Sequence, residues 1–209
     1  MKNNFMFKIR REILTLIAIL LVIPSMNGET AEQVVSDVIS SYNKSKIVVA
    51  DYTVAANGVN STGEIVMSQQ RFNIQSEPIT CWYDGKTQWS YISQIGEVNI
   101  TEPTPEELEL TNPYAALMNI GTNYVTELST DGDNYQLTLI PKENSDFATE
   151  IGLIIDKSTK LIVKALFIQD NSSYTITISN YNFNSNYTDK VFTYDPSQLP
   201  AGTPVIDLR

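Results

Sequence analysis

Trp82-Tyr83-Asp84-Gly85-Lys86-Thr87-Gln88-Trp89-Ser90-Tyr91 is the stretch that decides the fold. Asp-Gly between two aromatic runs is a strong hairpin signal, because the tight turn needs positive φ, which glycine adopts freely and aspartate tolerates. With a loop of two or four residues, Trp82, Trp89 and Tyr91 share one face, and Tyr83, Lys86, Gln88 and Ser90 share the other. A three-residue loop would break that parity. The first face carries both tryptophans of the protein and the second is mostly polar, so the aromatic face is expected to point inward.

Outward from this hairpin the chain keeps the same rhythm. Val48, Ala50, Tyr52 and Val54 alternate with smaller or polar neighbours, and Asn57-Gly58 and Thr62-Gly63 read as turns. Further strands are expected at 64–69, 71–75, 79–83, 87–92 and 97–101, then at 124–128, 135–140, 150–155, 161–169, 174–183 and 191–194. Short strands with turns at regular spacing argue for an antiparallel sheet that curls on itself. A helix precedes them over 31–44: Thr30 and Gln33 form a capping box, and Val34, Val35, Val38, Ile39 and Tyr42 recur at helical spacing. Two short helices interrupt the strands in mid-chain. Thr104-Pro105-Glu106-Glu107 is a cap followed by proline and glutamate, and Asn112-Pro113 repeats the signal before Tyr114-Ala115-Ala116-Leu117-Met118. The acidic cluster of Glu102, Glu106, Glu107 and Glu109 reads as a solvated helix start.

The first 28 residues have the pattern of a signal peptide. Lys2, Lys8, Arg10 and Arg11 precede an apolar run, Ile13 to Ile23, that Thr15 alone interrupts. That run is too short to span a bilayer, and small or turn-forming residues follow it at Pro24, Ser25 and Gly28. The expected organisation is therefore a signal peptide, 1–28, and a single domain, 29–209. The chain has 14 basic and 24 acidic residues; without its first 28 it has 10 and 23, a net charge of −13. Such a surface repels nucleic-acid phosphates.

Chemistry is sparse. The chain has no histidine, which removes the usual base of nucleophile triads and the commonest zinc ligand. It shows no glycine-rich phosphate loop and no metal-ligand spacing. The single cysteine, Cys81, reads as structural. No enzyme, cofactor or metal site is expected, with a carboxylate-based glycosidase as the enzymatic alternative.

The combination resembles the periplasmic outer-membrane lipoprotein carriers, the LolA family. The matching features are the leading helix 31–44, the Gly63-Glu64-Ile65-Val66-Met67 strand, and the hairpin Asp84-Gly85-Lys86-Thr87-Gln88-Trp89-Ser90-Tyr91 after Trp82. The Asn112-Pro113 helix with Leu117 and the closing Phe192-Thr193-Tyr194-Asp195-Pro196 segment complete the set. The resemblance implies an unclosed β-barrel with a helical lid, whose apolar cavity receives acyl chains of lipoproteins. It also implies a periplasmic, monomeric protein that takes cargo from an inner-membrane transporter to an outer-membrane acceptor. The family's lid-contacting arginine follows the strand matching Glu64–Met67. Here Ser68 and Gln69 stand at that place and Arg71 is the nearest cation: either Arg71 takes over lid control, the role assigned to it, or the lid is controlled differently.

On this reading Ile65, Met67, Phe72, Trp82, Trp89 and Tyr91 wall the cavity, with Leu117 and Met118 on the lid, although the same side chains would equally fill a closed core. A lipid-sensing regulatory or accessory protein on the same scaffold is the alternative function.

Overall fold

Period-two alternation survives in the structure as alternating burial. Along Glu150–Asp156, Ile151, Leu153 and Ile155 are buried and their neighbours are not. The computed structural model of the chain describes residues 28–56, 58–118, 120–142, 150–169 and 172–209. The expected signal peptide lies outside them, Gly28 excepted. Among the described residues, α1 (Ala31–Tyr42) leads into six strands: β1 (Val48–Ala56), β2 (Val59–Ser68), β3 (Arg71–Ser76), β4 (Ile79–Tyr83), β5 (Gln88–Ile92) and β6 (Glu97–Thr101). Three short helices follow: α2 (Pro105–Thr111), α3 (Pro113–Met118) and α4 (Ile120–Asn123). Then come β7 (Tyr124–Asp131), β8 (Asn134–Pro141), β9 (Glu150–Asp156), β10 (Ile162–Gln169), β11 (Ser172–Asn182) and, after an irregular stretch, β12 (Val205–Asp207).

All twelve strands form one sheet, ordered β12-β6-β5-β4-β3-β2-β1-β11-β10-β9-β8-β7. It is two antiparallel meanders, β1–β6 and β7–β11, joined where β1 pairs with β11. The sheet is mixed, because β12 lies parallel to β6, and it does not close into a barrel. Connectivity then dictates what covers it. β6 and β7 lie at opposite ends of the sheet, so the segment between them, carrying α2 to α4, has to cross the sheet. The segment from β11 to β12 has to cross as well, and it does so on the other face.

Local chemistry accounts for the element ends. Thr30–Gln33 and Thr104–Glu107 both form complete capping boxes. The β4–β5 hairpin has a four-residue loop, because Tyr83 pairs with Gln88. Within it, Asp84 Oδ1 accepts from the backbone N–H groups of Lys86 at 2.9 Å and Thr87 at 2.8 Å, and Gly85 takes φ 105°. Four residues preserve the expected parity.

Three readings change. Thr62-Gly63 is not a turn: Gly63 lies inside β2, between Tyr52 on β1 and Ser76 on β3. Its lack of a side chain serves close approach, since a Cβ there would stand 2.2 Å from the Gln75 carbonyl oxygen and 2.7 Å from the Tyr52 hydroxyl. The expected strand 191–194 begins instead within a 3₁₀ turn, Asp189–Phe192. Glu109 is buried rather than solvated; it accepts a hydrogen bond from the Tyr124 hydroxyl and so ties α2 to the start of β7.

The β11–β12 segment forms a strap over the outer face. Tyr187 donates to Glu64 Oε1 at 2.9 Å, and Asp189 pairs with Lys46 at 2.7 Å. Phe192 is buried against Ile47, Val49 and Val66, and the Tyr194 ring meets Trp82 edge-on with centroids 5.4 Å apart. Phe192→Ala should therefore cost about 3–5 kcal/mol in chemical denaturation and expose the strap to limited proteolysis. Gly63→Ala should destabilise by about 3 kcal/mol, because the clashing atom is backbone and cannot swing aside; a wild-type melting curve would refute the close-approach account.

Candidate functional site

The inner face of the sheet is filled over one half and open over the other. Across β8 to β10, Leu137, Leu139, Ile151, Leu153, Ile155 and Phe167 pack into one core with Val34, Val35 and Val38 of α1. These are large branched or aromatic side chains, and their alternate positions point at the helix. The inner positions of β4 and β5 are mixed: Cys81, Gln88 and Ser90 are small or polar, and Ile79, Tyr83 and Ile92 share their face.

What remains is a cavity of about 610 Å³, within the range of small-molecule sites. Ile65 and Met67 of β2, Ile74 of β3, Cys81 of β4, and Ile176 and Ile178 of β11 form its apolar wall. Tyr42, at the end of α1, closes the inner end, its ring tilted against that of Tyr114 of α3 with centroids 5.0 Å apart. Its hydroxyl donates to that of Tyr181 at 2.7 Å, which in turn donates to the Ile162 carbonyl at 2.6 Å, so its polar tip is satisfied. Thr111 and Asn112, at the α2–α3 junction, complete that side. Pro78 and Ile79 line the rim, and Ile79 is 42% exposed, which marks an apolar mouth. None of the lining residues carries a charge. A second recess, of about 620 Å³, lies under the strap; unlike the first, it has charged side chains in its lining, Lys46, Asp189 and Lys190.

The structure brings together only part of the residue set expected from sequence. Ile65 and Met67 lie on the cavity wall. Phe72 is on the inner face but buried in the core against Tyr83, with ring centroids 5.2 Å apart. Trp82, Trp89 and Tyr91 share a face as expected, but it is the outer one, opposite Cys81, Gln88 and Ser90. The aromatic face does not point inward because the strap covers the outer side and gives Trp82 a place to be buried. Leu117 is 2% exposed within the main core, Met118 is 48% exposed at the surface, and neither lines the cavity. Among the described residues, Arg71 has its polar and ring contacts on Ser68, Asp189 and Phe192 and not on the mid-chain helices. Its guanidinium donates to Ser68 Oγ at 2.9 Å, pairs with Asp189 at 3.3 Å and lies 4.6 Å from the Phe192 ring centre, all on the strap side.

Sequence reasoning missed Tyr42, Ile74, Cys81, Asn112, Tyr114, Ile176 and Ile178. Ile74 was within reach, since a two-residue β2–β3 turn places it opposite Ile65. Cys81 follows once the face opposite Trp82 is chosen. Tyr42, Asn112 and the β11 isoleucines have no local signal linking them to the hairpin.

Cys81 reports on the cavity. Burial pushes its thiol up to about 11, only partly opposed by the Ser90 hydroxyl at 3.5 Å. The thiolate is the reactive form, so alkylation by a small maleimide should be slow at neutral pH and accelerate as pH rises toward 11. An apolar occupant of the cavity should suppress it at every pH; equal rates with and without one would show that Cys81 does not face the occupied space.

No curated protein matches the chain. Its fold is similar to that of an uncharacterized conserved protein from Thermus thermophilus, with TM-score 0.56 and 10% identity, over 86% of this chain and 99% of the other. A DUF1329 family protein from Desulfovibrio piger follows at TM-score 0.49 and 11% identity, over 83% and 100%. The LolA superfamily protein NE2245 from Nitrosomonas europaea gives TM-score 0.44 and 12% identity, over 80% and 99%. Residues 23–165 match the family described as outer membrane lipoprotein carrier protein LolA. With that match spanning most of its length, the chain belongs to the LolA family of outer membrane lipoprotein carriers.

Proposed function

We propose that this protein is a periplasmic carrier that binds acyl chains of lipoproteins in the cavity and ferries them from the inner to the outer membrane. It does so as a monomer, a single domain over 29–209 freed of its signal peptide, with an inner-membrane transporter as donor and an outer-membrane acceptor. The reading involves binding without a chemical step, and no cofactor.

One observation carries it: a cavity of about 610 Å³ with an apolar wall, no charged lining residue and an apolar mouth. Burying hydrocarbon is worth about 0.8 kcal/mol per methylene, so a chain of about sixteen carbons gains on the order of 12 kcal/mol. Only a continuous apolar space competes with a membrane for that gain. The unbranched Met67 suits a wall that adapts to mobile chains. The mid-chain helices act as the lid through Thr111, Asn112 and Tyr114, the residues of α2 and α3 that border the cavity.

A hydrophobic dye should bind the delipidated protein at one site and be displaced by fatty acid or lipopeptide. Ile74→Trp fills the space and should weaken dye binding at least tenfold with the fold retained by circular dichroism. Trp89→Ala, on the outer face, should leave binding within about twofold. Folded protein that binds no dye sinks the proposal. Transfer is tested by incubating the protein with inner-membrane vesicles bearing radiolabelled lipoprotein: a carrier produces a soluble complex, whereas a lipid sensor binds acyl chains and leaves the label on the vesicles.

A further inference from the structure

We propose that the side-chain amide of Asn112 is the cavity's hydrogen-bond donor for an acyl carbonyl, an inference that rests on the acyl-chain reading above and names the polar group its ligand must carry.

Asn112 sits where α2 ends and α3 begins, is 1% exposed and borders the cavity. Its Oδ1 accepts from the Tyr114 backbone N–H at 3.0 Å, which caps α3 and fixes the orientation of the amide. The other end, Nδ2, is buried and has no hydrogen-bond partner among the described residues. A desolvated N–H₂ without an acceptor is rare in a folded protein and destabilising where it occurs. Four other polar side chains of the wall each spend a donor locally. Ser61 donates to the Glu77 carbonyl, Ser76 to that of Ile79, Thr111 to that of Glu107, and Gln88 to Ser90 Oγ.

The chemistry of the missing acceptor follows from the wall. With no cation lining the cavity, a carboxylate would be buried uncompensated, so a neutral oxygen is favoured. An acyl chain ends in such an oxygen: the carbonyl of its ester or amide linkage, which itself needs a donor once it leaves water. Asn112 Nδ2 is sealed from water in this form, so the carbonyl reaches it as the α2–α3 junction shifts on filling of the cavity. The assigned ligand is thus an alkyl chain inside the apolar cavity with its carbonyl held at the helix junction.

The test uses three ligands of equal chain length: glycerol monohexadecanoate (ester), N-hexadecanoyl ethanolamine (amide) and hexadecyl glyceryl ether, which lacks the carbonyl. Wild-type protein should bind the tighter of the two carbonyl ligands about five- to tenfold more strongly than the ether, and which one it prefers identifies the linkage. Asn112→Ser keeps a capping oxygen but loses Nδ2, so the ratio of carbonyl-ligand to ether affinity should fall toward one, whatever the change in overall affinity. In wild type, the Asn112 side-chain amide proton should shift downfield in NMR spectra with the carbonyl ligands and not with the ether; this readout stands even if the variant does not fold. Equal affinities for all three, or a preference that persists in Asn112→Ser, would overturn the assignment while leaving the acyl-chain reading intact. Failure of all three to bind would overturn both.

Discussion

The antiparallel pairing of β1 with β11 is the contact on which the rest of the structure depends. It runs from Ala56 opposite Tyr174 to Val49 opposite Asn182, with one irregularity near Ala50. Each meander on its own would be an ordinary run of hairpins. Joined here, they send β6 and β7 to far ends of one sheet. The connection between those strands must then cross the inner face, and the chain after β11 must cross the outer face to reach β6. Coverage of both sides is a consequence of chain connectivity, before any particular side chain is considered.

What each covering does depends on the side chains it meets. Over β8 to β10 the buried inner positions are Leu, Ile, Phe and Ala165, and α1 packs on them with Val34, Val35 and Val38 in one core. Over β2 to β5 the inner positions run from Ile65 and Met67 to Cys81, Gln88 and Ser90, and the helices border the cavity there through Thr111, Asn112 and Tyr114. Apolar surface left uncovered forgoes about 25 cal/mol per Å² of stabilisation. The filled half carries the stability, and the open half retains surface that a ligand can cover. Close packing and open apolar space are divided between two halves of one sheet.

The outer face explains why the aromatic residues mislead. In a sheet with one wet side, the face bearing both tryptophans must be the inner one. Here the strap makes the outer side a second buried surface, where Phe192 and Tyr194 cover Val66 and Trp82. Arg71 belongs to that surface as well, held between Ser68, Asp189 and Phe192. The parity of the hairpin was legible and its direction was not, because alternation tells which residues share a face and says nothing about what lies over it.

The sequence by itself determined what depends on near neighbours. The capping boxes at Thr30 and Thr104, the β4–β5 loop with its even count, the near-complete set of strands and the mid-chain interruption all arise from contacts within a few residues. Their energetics are written locally. Tertiary structure alone decided which face of the hairpin meets the cavity, that Gly63 is an approach point under Tyr52 rather than a turn, and that Tyr42, Asn112 and Ile178 border one space. These outcomes rest on β1 meeting β11 and on two chain segments crossing opposite faces. Such pairings join residues more than a hundred positions apart, and no local pattern encodes their partners.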